Sequence, residues 1–151
     1  MKALVCSDFG STQDLTLEQR EDLEPGAGEV LIDVKAAGVN FPDILTVEGK
    51  YQFKPELPFI PGTEVSGVVT KLGKGVTTRK VGDEVVGMVQ IGGFASQVVT
   101  SEYTTFPKGS SMSYEQAAGF AVTYGTSYYA LKQRTQLQPG ETVLVLGAAG
   151  G

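Results

Sequence analysis

The chain has 151 residues, 41% of them hydrophobic and 19% charged, with no low-complexity tract, which is enough to bury one core of single-domain size. With 12 basic against 17 acidic residues the net charge is −5, and beyond Arg79-Lys80 there is no basic cluster, so nucleic acid and anionic membrane surfaces are poor partners. A lone Cys6 excludes an internal disulfide and fits a reducing compartment; with no leader after Met1 and no apolar run of about 18 residues, a cytoplasmic protein is expected.

Ala3-Leu-Val-Cys6 reads as a first strand, with Cys6 a small buried hydrophobe. Pro25-Gly-Ala-Gly28 then turns the chain into 29–35, where Val30, Ile32 and Val34 alternate with Leu31, Asp33 and Lys35 as in a half-buried strand. Further strands are predicted at 64–72, 84–89, 94–100 and 104–106, separated by Gly73-Lys-Gly75, Gly82-Asp83, Gly92-Gly93 and Pro107-Lys-Gly109. Short strands at this spacing make a small, twisted, barrel-like sheet. After Gly109 the texture changes. Ser113-Tyr-Glu-Gln116 carries the reciprocal capping pattern of a helix start, 124–133 continues as a second helical stretch, and Pro139-Gly140 resets the chain.

Thr142-Val-Leu-Val-Leu146 reads as a buried strand, and Gly147-Ala-Ala-Gly-Gly151 as the opening of a loop whose backbone N–H groups cradle a pyrophosphate. In that fingerprint Ala148 takes the first glycine place and Gly150 the second, while the third falls past Gly151. The residue that would discriminate NAD from NADP is likewise not in the sequence. The chain therefore reads as the front part of something larger.

Ala37-Gly-Val-Asn-Phe-Pro-Asp43, Pro61-Gly-Thr-Glu-Val-Ser-Gly67 and Gly82-Asp-Glu-Val-Val-Gly87, followed by Thr123-Tyr-Gly125 and the terminal glycines, stand in a telling order and spacing. With them the chain resembles the zinc-independent quinone oxidoreductase branch of the medium-chain dehydrogenase/reductase superfamily. Singly the pieces are weak; together they run over essentially the whole chain. The resemblance implies a mainly β fold with helices: a GroES-like twisted β-barrel substrate domain at 1–121, then at 122–151 a helical connector with the first strand and partial glycine loop of a truncated Rossmann domain. It places the active site between the two domains and implies a homodimer for the longer protein.

In zinc alcohol dehydrogenases of the same superfamily, Cys, His and Cys stand where this chain has Asn40, Thr63 and Gly119. The chain contains no His and no four-cysteine lobe, so no metal is expected at the catalytic or the structural place. Without a metal to stabilise an alkoxide, alcohol oxidation is not the expected reaction. A quinone or conjugated enone is already electrophilic and needs only to be held against a reduced nicotinamide, shielded from water, with the charge on its oxygen stabilised. NADPH is the cofactor that the resemblance implies; hydride and single-electron transfer both remain open.

The same resemblance assigns residues. Asn40 matches the family's cleft Asn, whose amide bonds the substrate or the nicotinamide ribose; read locally, it is a turn residue bonded to nearby backbone. Tyr51 matches a Tyr lining the quinone pocket, where a phenol binds or protonates a carbonyl oxygen; locally it is an amphipathic plug. Leu45 replaces the family's other pocket Tyr, which makes a more apolar pocket. Thr123 matches the contact to the nicotinamide carboxamide, or else is a helix cap. Gly147, Ala148, Gly150 and Gly151 are the cofactor loop, or a frayed end. Asp43 and Glu64, which the zinc enzymes also keep, are read as structural: Asp43 as a local helix or turn bond, Glu64 as partner of a buried donor across the cleft.

The leading expectation is the N-terminal portion of an NADPH-dependent quinone or enone reductase, itself inactive or nearly so. An enoyl-thioester reductase uses a similar front half. A free-standing, non-catalytic GroES-like binding module is the third reading, in which the apolar 142–146 segment drives association.

Overall fold

The computed structural model describes residues 1–148; Gly150 and Gly151, assigned above to the cofactor loop, lie outside the described residues. Strands β1 (Lys2–Val5) and β2 (Thr16–Gln19) form an antiparallel pair. Strands β3 (Glu29–Gly38), β4 (Glu64–Leu72), β5 (Glu84–Met88), β6 (Gln97–Ser101) and β7 (Thr105–Pro107) form an antiparallel sheet in the order β6-β3-β4-β5-β7. The β1–β2 pair is stitched to that sheet ahead of β6, where Leu4 N–H donates to the Phe94 carbonyl (2.9 Å) and Ser96 N–H to the Lys2 carbonyl (2.8 Å). Register shifts between Leu31 and Ile32 and between Val34 and Ala36 bend the long β3–β4 ladder. This is the mainly β fold with helices expected from the sequence, although among the described residues the hydrogen-bonded sheet does not close into the expected barrel.

Val30, Ile32, Val65, Val69, Val85 and Val98 form the core cluster, drawn from four neighbouring strands. The alternation read in β3 does not carry through to its burial: Val30, Leu31 and Ile32 are all buried, Asp33 and Val34 are both half-buried, and Lys35 is exposed. β3 is interior to the sheet, so Leu31 has Lys71 and Val99 beside it across both ladders.

Helix α1 (Phe41–Val47) leaves β3, and α2 (Tyr114–Ala118) lies against β3 and β4, with Ala117 and Ala118 buried. The capping box at Ser113 is present: Gln116 N–H donates to Ser113 Oγ (3.2 Å) and Ser113 N–H to Gln116 Oε1 (3.0 Å). Helix α3 (Ala121–Tyr128) begins earlier than the predicted 124–133 and runs on through the wider π turns of Tyr129–Arg134.

The expected strand at 142–146 does not form. Its residues are exposed, Leu144 at 82% and Leu146 at 84%, and among the described residues no strand pairs with them. A strand is defined by its ladder, and an apolar run with no neighbour to bond has only water beside it. Among the described residues no helix is long and apolar enough to cross a membrane.

Candidate functional site

The site is built at the corner where β3 turns into α1. Asn40 precedes the helix in extended conformation, and its backbone N–H donates to Asp43 Oδ2 at 2.8 Å while Asp43 N–H bonds the Asn40 carbonyl at 3.0 Å. Pro42 in the first turn lacks an N–H that the helix start would leave unpaired. Asn40 is thus a helix cap, close to its local reading, but its side chain does something else. Asn40 Nδ2 donates to Glu64 Oε1 at 3.0 Å, and Glu64 Oε2 accepts from Val122 N–H at 2.9 Å in the first turn of α3. Glu64 opens β4 and is fully buried, so the buried donors expected for it are the Asn40 amide and the Val122 N–H.

Burial pushes the Asp43 carboxyl above its ordinary value, with the Glu64 charge adding to it; donors from Asn40 N–H and the Thr63 hydroxyl pull the other way. Thr63 therefore serves Asp43, and Gly119 offers its carbonyl to the Thr123 hydroxyl at 2.8 Å.

Val39, Asn40, Phe41 and Pro42 on one wall and Val122, Thr123, Thr126 and Ser127 on the other enclose a cleft of about 430 Å³. That volume suits one planar ring and its substituents. Val39 and Phe41 stand 74% and 70% exposed at its rim as an apolar platform. Thr123 donates to Gly119 rather than capping a free N–H, and Ser127 donates to the Thr123 carbonyl at 3.0 Å. Phe41, Thr126 and Ser127 were not singled out from sequence. Phe41 adjoins Asn40, and Thr126 and Ser127 lie three and four residues beyond Thr123 on one helix face, the spacing that marks them.

The structure brings Asn40 and Thr123 into one cleft, but Tyr51 is not among the residues lining it. Tyr51 follows the left-handed Gly49 and is half-buried, its N–H bonded to the Leu45 carbonyl. Gly147 (φ 70°) and Ala148 are exposed at the end of the described chain, also outside the lining. A larger hollow of about 1020 Å³ lies between the β1–β2 pair and the 53–60 loop, where Arg20 and Lys54 are mixed with Glu21 and Glu56. It contains none of the predicted site residues, so the smaller cleft is the candidate site.

The alcohol dehydrogenase GroES-like domain model matches residues 26–135. The chain belongs to that family. Within it, a quinone oxidoreductase-like protein 2 homolog from Nematostella vectensis is 45% identical over 151 residues, covering 99% of this chain and 41% of that protein. A mycobacterial protein solved with NADPH superposes at TM-score 0.94, with 35% identity over 100% of this chain and 47% of that one. The Thermus thermophilus quinone oxidoreductase, also solved with NADPH, gives TM-score 0.87 and 38% identity over 99% of this chain and 46% of its own. The chain thus spans less than half the length of these relatives. It is a GroES-like portion of a medium-chain oxidoreductase fold, similar to the matching part of quinone oxidoreductases.

Proposed function

We propose that this chain supplies the substrate-side wall of an NADPH-dependent quinone or conjugated-enone reductase that works without zinc. The observation that carries the reading is the cleft that Asn40 lines together with the polar residues Thr123, Thr126 and Ser127 of α3. Its lining donors are an amide and hydroxyls, which are poor zinc ligands, and the nearby Glu64 carboxylate is already committed to two N–H groups. The α3 side of that set suits the nicotinamide end of the cofactor, with hydroxyls of Thr123, Thr126 and Ser127 for a carboxamide, and leaves Phe41 and Val39 for the apolar ring face of the acceptor. The phosphate end would fall to the glycine loop after Leu146.

The hydride would come from NADPH when it is bound, and the part of this chain's own residues is orientation. Phe41 and Val39 hold the flat acceptor and keep water from one face, and Asn40 bonds either the acceptor oxygen or the ribose. The proton that completes reduction of a quinone oxygen comes from solvent or from a hydroxyl of the cleft.

The test is NADPH consumption with 1,4-benzoquinone, using the protein made from the full reading frame and the 151-residue chain side by side. Saturable reduction by the first, little by the second, and a loss of about 10- to 100-fold in kcat/KM on Asn40→Ala are expected. Concentration-dependent association with neither NADPH binding nor quinone reduction would instead favour the binding-module reading.

A further inference from the structure

We propose that Glu64 is the positioning residue of the cleft, a buried carboxylate that ties Asn40 on one wall to the first turn of α3 on the other. The inference rests on the reading of Asn40 as a ligand-facing group. Glu64 has 0% exposure, and its two oxygens are divided between the walls, Oε1 to Asn40 Nδ2 at 3.0 Å and Oε2 to Val122 N–H at 2.9 Å. These two contacts span 24 and 58 residues of sequence, so no local segment could make them.

The chemistry asks for a carboxylate. Both oxygens accept from N–H donors, which only an acceptor-only group does at both ends; an isosteric amide would turn an NH2 toward one of the two donors. Burial of such a group without hydrogen bonds is costly, and among the described ion pairs none uses Glu64, so the two N–H groups and the helix N-terminus bear that cost. Room for it is made by Gly38, where a Cβ would stand 2.5 Å from Glu64 Oε1.

Asn40 is consequently held twice, through its backbone by Asp43 and through its amide by Glu64, and it cannot turn without breaking a buried bond. Because Val122 is on the helix that carries Thr123 and Thr126, the same carboxylate sets the separation of the walls. A cleft that presents a flat acceptor to a nicotinamide depends on that separation, since misplacement by about 1 Å costs on the order of 100-fold in rate.

The experiment is a double-mutant cycle in the protein from the full reading frame, with kcat and KM for NADPH-dependent reduction of 1,4-benzoquinone measured for Glu64→Gln, Asn40→Ala and the pair. Glu64→Gln alone is expected to lower kcat/KM about tenfold or more. In the Asn40→Ala background its further effect should be clearly smaller than in the parent, because the part that acts through Asn40 is already lost while the part that acts through Val122 remains. Losses that multiply independently would overturn the proposal. In the 151-residue chain, amide exchange at Val122 should speed up at least about tenfold in Glu64→Gln while the β3 and β4 amides keep their protection. Glu64→Asp, which keeps the charge but is too short to reach both donors, serves if the Gln variant fails to fold. Unchanged exchange at Val122 would refute the tie whatever the enzyme does. Absence of quinone reduction by the unaltered protein, with Val122 exchange responding as expected, would sink the reductase reading and leave the tie standing.

Discussion

Gly38 and Ala118 approach so closely that a Cβ on Gly38 would lie 2.4 Å from the Ala118 carbonyl oxygen. α2 therefore reaches β3 only because that position has no side chain, and the same gap admits Glu64. Gly38→Ala should destabilise the chain by about 1–3 kcal/mol or more, read as a lower urea midpoint. Gly125→Ala is the contrast. It sits within α3 with nothing within 4 Å of its added Cβ, so it should be neutral or stabilise by up to about 1 kcal/mol. Equal losses at the two sites would contradict the packing argument.

Asp43 gives stability a pH dependence of a particular sign. Burial raises its folded-state value, so the folded chain binds the proton better than the unfolded chain does. The group's contribution is full below the ordinary carboxylate range and is lost as pH rises through the raised value. Asp43→Asn removes that titration while keeping one acceptor oxygen. Between roughly pH 4 and pH 7 the variant should gain on the parent in urea unfolding as pH rises; a gap that widens in the parent's favour over that range would be the wrong sign.

Glu102 works in the opposite sense. It is 2% exposed, and Oε2 accepts from the Thr78 hydroxyl (2.7 Å) and from the N–H groups of Thr78 (2.7 Å) and Thr77 (2.9 Å). Those bonds, the hydroxyl first, hold its carboxyl below the usual glutamate value, with the Arg79 charge helping. Its stabilisation is present above the unfolded-state value and fades as pH falls through the lowered one. Glu102→Gln should therefore free the 73–83 loop, with faster hydrogen exchange at Thr77 and Thr78, and should blunt the acid sensitivity of the fold.

Strand β4 was legible to the residue, 64–72, because the β-branched Val65, Val68, Val69 and Thr70 lie between Pro61-Gly62 and the break at Gly73-Lys-Gly75. The cap at Ser113 was equally plain, since its partner is three residues away. β2 escaped because its four residues are mostly exposed and carry no alternation. α1 announces its start through Asn40, Pro42 and Asp43, but seven residues are too few for a helical period to register. The strand at 142–146 was misread for the converse reason: its composition is right, and its ladder partners are not among the described residues. Asn40 and Thr123 could be chosen by likeness, whereas the bond from Asn40 to Glu64 and on to Val122 joins segments that only the folded chain brings together.

Phe41 tests the cleft without disturbing the core. At 70% exposure its loss should change folding stability by no more than about 0.5 kcal/mol. If its ring is the platform for a flat acceptor, Phe41→Ala should raise KM for 1,4-benzoquinone severalfold with a smaller change in kcat, as loss of uniform binding does. An unchanged KM would remove Phe41 from the site.

The exposed apolar run at 142–146 has a physical consequence of its own. Val143, Leu144, Val145 and Leu146 are 44%, 82%, 64% and 84% exposed, and an exposed apolar segment of this kind is a surface on which another chain can pack. Burying two leucines between copies is worth about 1.5–3 kcal/mol each before association entropy is counted, enough to drive self-association of the 151-residue chain at high concentration. Replacing both Leu144 and Leu146 by Lys should abolish that association in sedimentation velocity while leaving the thermal midpoint of the β domain unchanged, because neither side chain belongs to the core clusters. Association that persists in the double variant would move the contact elsewhere, to the exposed face carrying Tyr124 and Tyr128 on α3.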